Sequence, residues 1–288
     1  MQTDKSRNRA FTIVELLVTV SIIALLIGLL LPGLGMVRAS ARATKSQSNL
    51  RQWGLGTIAW AGLHNERLPW EGMKDSGQMA TNLQTQNFWA NAIPPMVGQP
   101  SYREVSDAAF NDQRNVPVAG ESDLIFIDPS AVAPSEQGYG FGEPGPQGVR
   151  RQFYFNYVPN SQLNNTTLSR TNLPDYSPDF TMGLQQIPFA DKTVIMLEMR
   201  SVPSELPSSD CWYSAQLNRH RSDWKRFAAR HFKGGHMCFA DGHVAWMLNA
   251  EVTTNQRGVR CSAEGFAAED DWNTSKVIWD PMGPATDE

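Results

Sequence analysis

RNRAFTIVELLVTVSIIALLIGLLLP, residues 7–32, is the stretch on which the reading of this chain turns. A short basic leader ends at Ala10. Phe11 then opens an apolar run that reaches Leu31. At about 1.5 Å per residue, a helix over that run crosses about 30 Å of hydrocarbon. One charge interrupts the run, Glu15, four residues after Phe11. A carboxylate inside a membrane segment is costly, so it calls for a partner or a function. Pro32 closes the run.

Beyond Pro32, Leu50, Trp53, Thr57, Trp60 and His64 fall at 3-4-3-4 spacing, which predicts a helical stripe carrying two indoles. Together the two stretches predict one long helix from Thr12 to His64, weakened at Gly28 and between Pro32 and Gly35. Proline removes a backbone donor there, and each glycine costs about 1 kcal/mol against alanine. The Trp53 and Trp60 stripe reads as core, because an amphipathic helix buries its apolar face.

The basic leader, the small residue and FTIVELL resemble the N-terminus of type IV prepilins and type II secretion pseudopilins. The resemblance implies cleavage by a membrane prepilin peptidase between Ala10 and Phe11, with methylation of the new amine. The family usually has Gly before the cut, where this chain has Ala10. It implies that Glu15 pairs with the N-terminal amine of a neighbouring subunit during assembly. Pro32 matches a position where many pilins carry proline. The stretch SNLRQWGLGTIAWAGLHNERLP is also similar to a pattern found in one large prepilin-like family. Two other readings of the N-terminus exist. An ordinary secretory signal with cleavage at Ala39-Ser40-Ala41 has a shorter apolar stretch, usually about 7–15 residues. A plain signal anchor, like that signal, leaves Glu15 without a role.

The chain has 288 residues, 41% hydrophobic and 19% charged, an ordinary globular balance. Net charge is −4, and removing a leader of net +2 (Lys5, Arg7 and Arg9 against Asp4) leaves −6. No nucleic-acid partner is expected, since that calls for a basic face. Lys and Arg counts flanking the apolar run do not fix its orientation, because Arg38, Arg42, Lys45 and Arg51 follow it. A cytoplasmic leader and an extracytoplasmic head, on the inner membrane, are what the resemblance implies. The spacing of Cys211, Cys238 and Cys261 matches no zinc or redox motif. In an oxidising compartment one pair can bridge, Cys211 with Cys261 being the first to test.

The middle of the chain carries weaker signals. NFWANAI (87–93) predicts a short helix, and DLIFI (123–127) a strand stopped by Asp128-Pro129. Residues 130–148 and 161–179 read as loops. FYFNYV (153–158) and TVIMLEM (193–199) predict strands, the second fully buried. Residues 219–230 are basic and read as a solvated turn or short helix.

HFKGGHMCFADGHVAWM, residues 231–247, ends the interpretable part. Asp241-Gly242 between two apolar runs predicts a two-residue hairpin with both turn residues at positive φ. Pairing Ala240 with His243 then puts Met237, Phe239, Val244 and Trp246 on a core face. His236, Cys238, Ala240, His243, Ala245 and Met247 take the other. His231, nine residues and then Asp241-Gly242 resemble the H-x9-D-G signature of the same prepilin-like family, with weaker echoes at DLIFIDPS and KTVIMLEM. His236, Cys238 and His243 are candidate metal ligands by residue type. The competing reading is structural, with His231 satisfying turn backbone groups. No nucleophile elbow, H-E-x-x-H or P-loop is present, so no enzyme activity and no cofactor are expected.

The expected fold is α+β: a long N-terminal helix, membrane-spanning in its first half, packed on an antiparallel sheet. Its parts are a leader (1–10), a transmembrane helix (11–31), a helix continuation (32–66) and a head (67–288). The expected function is a pseudopilin-like subunit of a type II secretion or type IV pilus-like assembly, with prepilin peptidase, other pilin-like subunits and the membrane as partners. The rival from another class is a membrane-anchored binding protein that never polymerises. A metal-dependent enzyme domain ranks last.

Overall fold

A computed structural model describes residues 12–72, 85–112, 116, 123–131, 155–163, 181–200, 205, 221–261 and 272–281. The fold is α+β, a long N-terminal helix and a four-stranded antiparallel sheet. Helix α1 runs Ile13–Leu63, 51 residues, and continues through Pro32. Two compact units divide inside it, Met1–Arg42 and Ala43–Glu288.

In the first unit the described side chains of α1 face outward. Ile13 is 81% exposed and Leu29 72%, with Val14, Leu16, Leu17, Ile22, Ile23 and Leu25 similarly open. No aqueous surface tolerates so long an apolar cylinder, and the helix is long and apolar enough to cross a membrane.

The second unit begins where α1 turns one face inward. Ala43, Ser46, Asn49, Leu50, Trp53, Gly54, Thr57, Trp60 and Ala61 are buried at 3-4 spacing, the stripe the sequence predicts. Helix α2 (Trp89–Met96) agrees with the expected short helix. Helix α3 (Tyr102–Asn111) was not expected. Its start is a capping box, Ser101 Oγ accepting from Glu104 N–H and Glu104 Oε2 accepting from Ser101 N–H. The S-Y-R-E run at 101–104 is the signal that announces it.

Strands β1 (Tyr157–Pro159), β2 (Val194–Glu198), β3 (Gly234–Phe239) and β4 (Val244–Leu248) lie in that order, each antiparallel to the next. Strand β2 matches the expected buried strand. Strand β1 starts later than expected, and residues 153 and 154 of its predicted span lie outside the described residues. DLIFI is not a strand. Two of its carbonyls are taken by helix side chains, Asn49 Nδ2 donating to Ile127 O and Trp53 Nε1 to Ile125 O, while Leu124 O accepts from Ile127 N–H and Phe126 O from Asn156 N–H. These mixed partners replace the regular ladder a strand would need. Of the basic segment, Trp224–Arg226 forms a 3-10 turn, but Trp224 and Arg226 are buried, not solvated.

The hairpin register is shifted by one residue from the expected one. Cys238 pairs with Val244, Met237 with Ala245 and His236 with Trp246. The connection has three residues, not two. Gly242 N–H donates to Phe239 O at 2.8 Å, Phe239 N–H donates to His243 O at 3.0 Å, and only Gly242 has positive φ, +88°. This is a turn followed by a left-handed glycine bulge, the usual three-residue solution. The extra residue exchanges the faces. His236, Cys238, Val244 and Trp246 share one side, and Met237, Ala245 and Met247 the other. Trp246 is 43% exposed on the edge strand, its indole N–H donating to His231 O at 2.8 Å.

Cys261 is disulfide-bonded and Cys238 is a free buried thiol. Cys211, the expected partner of Cys261, lies outside the described residues.

Candidate functional site

The N-terminal site rests on Glu15. Thr12 and Glu15 form a reciprocal cap at the start of α1. Glu15 N–H donates to Thr12 Oγ1 at 3.2 Å, and Thr12 N–H and Oγ1 donate to Glu15 Oε2 at 3.0 and 2.9 Å. The carboxylate therefore satisfies orphan donors of its own helix as well as facing outward. Pro32 sits exposed in the helix interior. Ala10 and Phe11, the expected cleavage pair, lie outside the described residues.

The second site is a buried polar cluster between the inner half of α1 and the sheet. His231 follows the 3-10 turn and is locked by a two-residue turn of its own. His231 and Gly234 exchange N–H···O bonds at 3.0 Å in both directions across Phe232 and Lys233. Both central residues have positive φ, +54° and +65°. This is the geometry expected at Asp241-Gly242, placed instead on two non-glycine residues, where it costs strain. From there His231 Nε2 lies 3.0 Å from Asp128 Oδ2 and 3.7 Å from Glu198 Oε1. His236 Nδ1 lies 2.6 Å from the same Glu198 oxygen. Ser46 Oγ stands 2.7 Å from Asp128 Oδ2, 2.5 Å from Glu198 Oε1 and 2.8 Å from the Tyr157 hydroxyl. Arg230 lies 3.9 Å from Asp128, 3.7 Å from Glu205, and donates to Met199 O.

Low dielectric and mutual charge set the ionisation here. Burial resists the charge on Asp128, but Arg230, His231 and Ser46 outweigh it and hold the carboxyl well below its usual range. His231 is also opposed by burial, yet its bond to Asp128 and the charge of Glu198 raise it. The Tyr157 phenol is pushed up, first by burial and then by Asp128 and Glu198.

Three of the sequence's candidates do not come together as expected. Cys238 packs against Gly54 of α1, and burial pushes its thiol up to about 12, so it holds its proton. His243 is exposed, stacked on Phe239 and bonded to Asp241 Oδ1 at 2.6 Å. Of the three only His236 enters the cluster. Asp241 stays in the hairpin turn, accepting from His243 N–H at 3.0 Å. Ser46, Asp128, Tyr157, Glu198 and Arg230 were missed. Glu198 had a signal: a carboxylate inside the otherwise apolar TVIMLEM, where burial demands partners.

Residues 5–31 match the family model of the prokaryotic N-terminal methylation motif. The chain therefore carries a prokaryotic, prepilin-type N-terminal methylation motif at the start of a helix long and apolar enough to cross a membrane. The match covers that segment alone, and residues 231–242 lie outside it. No curated protein and no solved structure matches the chain.

Proposed function

We propose that this chain is a structural, non-enzymatic pseudopilin-like subunit of a type II secretion or type IV pilus-like assembly. Prepilin peptidase cuts it between Ala10 and Phe11, and the new amine is methylated. Residues 11–31 then anchor it in the inner membrane, with the head outside the cytoplasm. The observation that supports this reading is the methylation-motif match over residues 5–31, at the start of a helix whose leucines, isoleucines and valines stand exposed from Ile13 to Val37. A lateral array of such helices in the bilayer gives each one apolar neighbours, and head-to-tail contacts between copies build open filaments. Intact-mass and N-terminal sequence analysis of the chain from its native membrane tests it. A methylated Phe11 start is expected, whereas a start at Met1 or Arg42 rejects the reading.

A second reading, a membrane-anchored binding protein that does not polymerise, has its own support. The Thr12 cap gives Glu15 a role within one chain. A cleft of about 280 Å³ lined by Trp60, His64, Arg67 and Trp70 offers the head a ligand surface.

A further inference from the structure

We infer that the buried cluster is a closed structural site for one divalent transition-metal ion, with zinc the best fit, held by His231, His236, Glu198 and Asp128. Glu198, His231 and His236 present ligand atoms that all lie within 4.8 Å of one another, and all three residues are buried. Asp128 adds a fourth donor 3.0 Å from His231 Nε2. Donors around a tetrahedral zinc stand about 3.4 Å apart, given bonds of about 2.1 Å. The spacings here, 2.6, 3.0 and 3.7 Å, straddle that value. Two imidazoles with two carboxylates suit zinc among the common divalent ions.

Two independent facts ask for a cation. The first is a shortage of protons. Ser46 has one hydroxyl hydrogen, yet its oxygen stands at hydrogen-bond distance from a carboxylate oxygen of both Asp128 and Glu198. One proton cannot serve both. The second is Glu198 itself. The residue is fully buried, and among the described residues its Oε1 hydrogen-bonds to Ser46 and His236 while its Oε2 has no hydrogen-bond partner. Arg230 is shared between Asp128 and Glu205, so it does not supply the missing charge alone. Protonating both histidines would place two imidazoliums with ring centres 5.3 Å apart, a repulsive pair. One divalent ion balances both carboxylates and leaves the imidazoles neutral.

The surrounding chain is shaped for such a site. Any Cβ at Gly235 would lie 2.9 Å from Glu198 Oε2, so glycine there leaves the carboxylate room. The strained turn at Phe232-Lys233 fixes the backbone beside His231. With four protein ligands and no exposed face, the ion has a structural and not a catalytic role, and it enters as the head folds.

The test uses the full chain in detergent, unfolded with a chelator and refolded with zinc or cobalt alone. The expected result is one ion per chain that survives dialysis. The cobalt form should show the visible bands of tetrahedral nitrogen and oxygen ligation, without a thiolate charge-transfer band. His243→Ala should bind as the parent does, while His236→Gln should lose the ion and keep its far-ultraviolet helix signal. If His236→Gln does not fold, the parent's cobalt spectrum decides alone. A refolded parent with native circular dichroism and no retained ion would overturn the site and assign the shared proton shortage to a protonated carboxyl. A thiolate band would overturn the ligand set by returning Cys238 to it. Neither outcome bears on the N-terminal processing, which a separate mass measurement reads.

Discussion

The two halves of α1 are the same secondary structure built for opposite surroundings. Over residues 13–37 its leucines, isoleucines and valines stand open, and nothing lies within 4 Å of where a side chain would start at Gly28, Gly33 or Gly35. Over residues 43–63, Leu50 and Trp53 are fully buried. A side chain at Gly54 or Gly56 would strike Cys238 or Ile93. Glycine thus means two things on one helix. In the outer half it is a weak point in the backbone and a smooth surface. In the inner half it is a close approach to the sheet and to α2. Helix propensity does not separate the halves. Their neighbours do, lipid for one and protein for the other.

The largest effect expected from breaking the inner half is at Trp53. Its ring packs against Trp89 and Phe126 with centroids 5.1 and 5.2 Å away, and its N–H holds Ile125 O. Trp53→Ala removes both packing and the bond, so the head should lose about 3–5 kcal/mol. Chemical denaturation of the chain in detergent, followed by tryptophan fluorescence, measures it. A loss below about 1 kcal/mol would mean that the inner half only rests on the head.

Gly54→Ala comes next. The new methyl overlaps Cys238 Sγ, and overpacking of this kind costs about 1–3 kcal/mol. Because the collision is with one side chain tip, Cys238→Ala should restore part of the loss in the double variant, a coupling that two independent defects would not show.

Much of this inner half was legible. The 3-4 spacing of Leu50, Trp53, Thr57 and Trp60 carries a physical period, and a helix obeys it wherever it packs. The hairpin was legible as an element but not in its register. One more residue in the turn decides whether Val244 and Trp246 share a face with Met237 and Phe239 or with His236 and Cys238, and Asp-Gly suits both turn lengths. DLIFI misled because β-rich composition does not say who takes the carbonyls. Here two of the takers, Asn49 and Trp53, lie far back in the chain. The buried cluster was the least legible. Ser46, Asp128, Glu198 and His231 come from four separate segments with no shared period, and only the fold brings them together. What the sequence offered was three disconnected resemblances, at SNLRQ, DLIFIDPS and KTVIMLEM, whose neighbourhoods supply Ser46, Asp128 and Glu198.

The outer half is sharpened by Glu15, where capping and assembly can be pulled apart. A capping box accepts glutamine at its third position as well as glutamate, since either side chain oxygen takes the Thr12 N–H. Glu15→Gln should therefore keep the start of α1 but lose the charge that pairs with a neighbour's amine. Glu15→Val should lose both. If the subunit assembles as proposed, crosslinking in membranes should show oligomer ladders in the parent and in neither variant. Parental ladders in Glu15→Gln would leave the carboxylate only its capping role and favour the non-polymerising anchor.

The smallest expected effect is at Gly28, and it is the most direct check on the contrast between the halves. Gly28→Ala is the same chemical change as Gly54→Ala, on the same helix, in a place where the added methyl meets no atom of the chain. Alanine is the better helix former by about 1 kcal/mol, so the outer half should gain helicity in detergent. The head should not respond, because none of its packing involves that residue. Its unfolding midpoint in Gly28→Ala should match the parent's within error, while that of Gly54→Ala falls. A fall in both variants would mean that the first half of α1 packs on protein within the chain and is not built for lipid. A fall in neither would remove the close approach of Gly54 to Cys238. Only the asymmetric result fits one helix that passes from a membrane into a protein core.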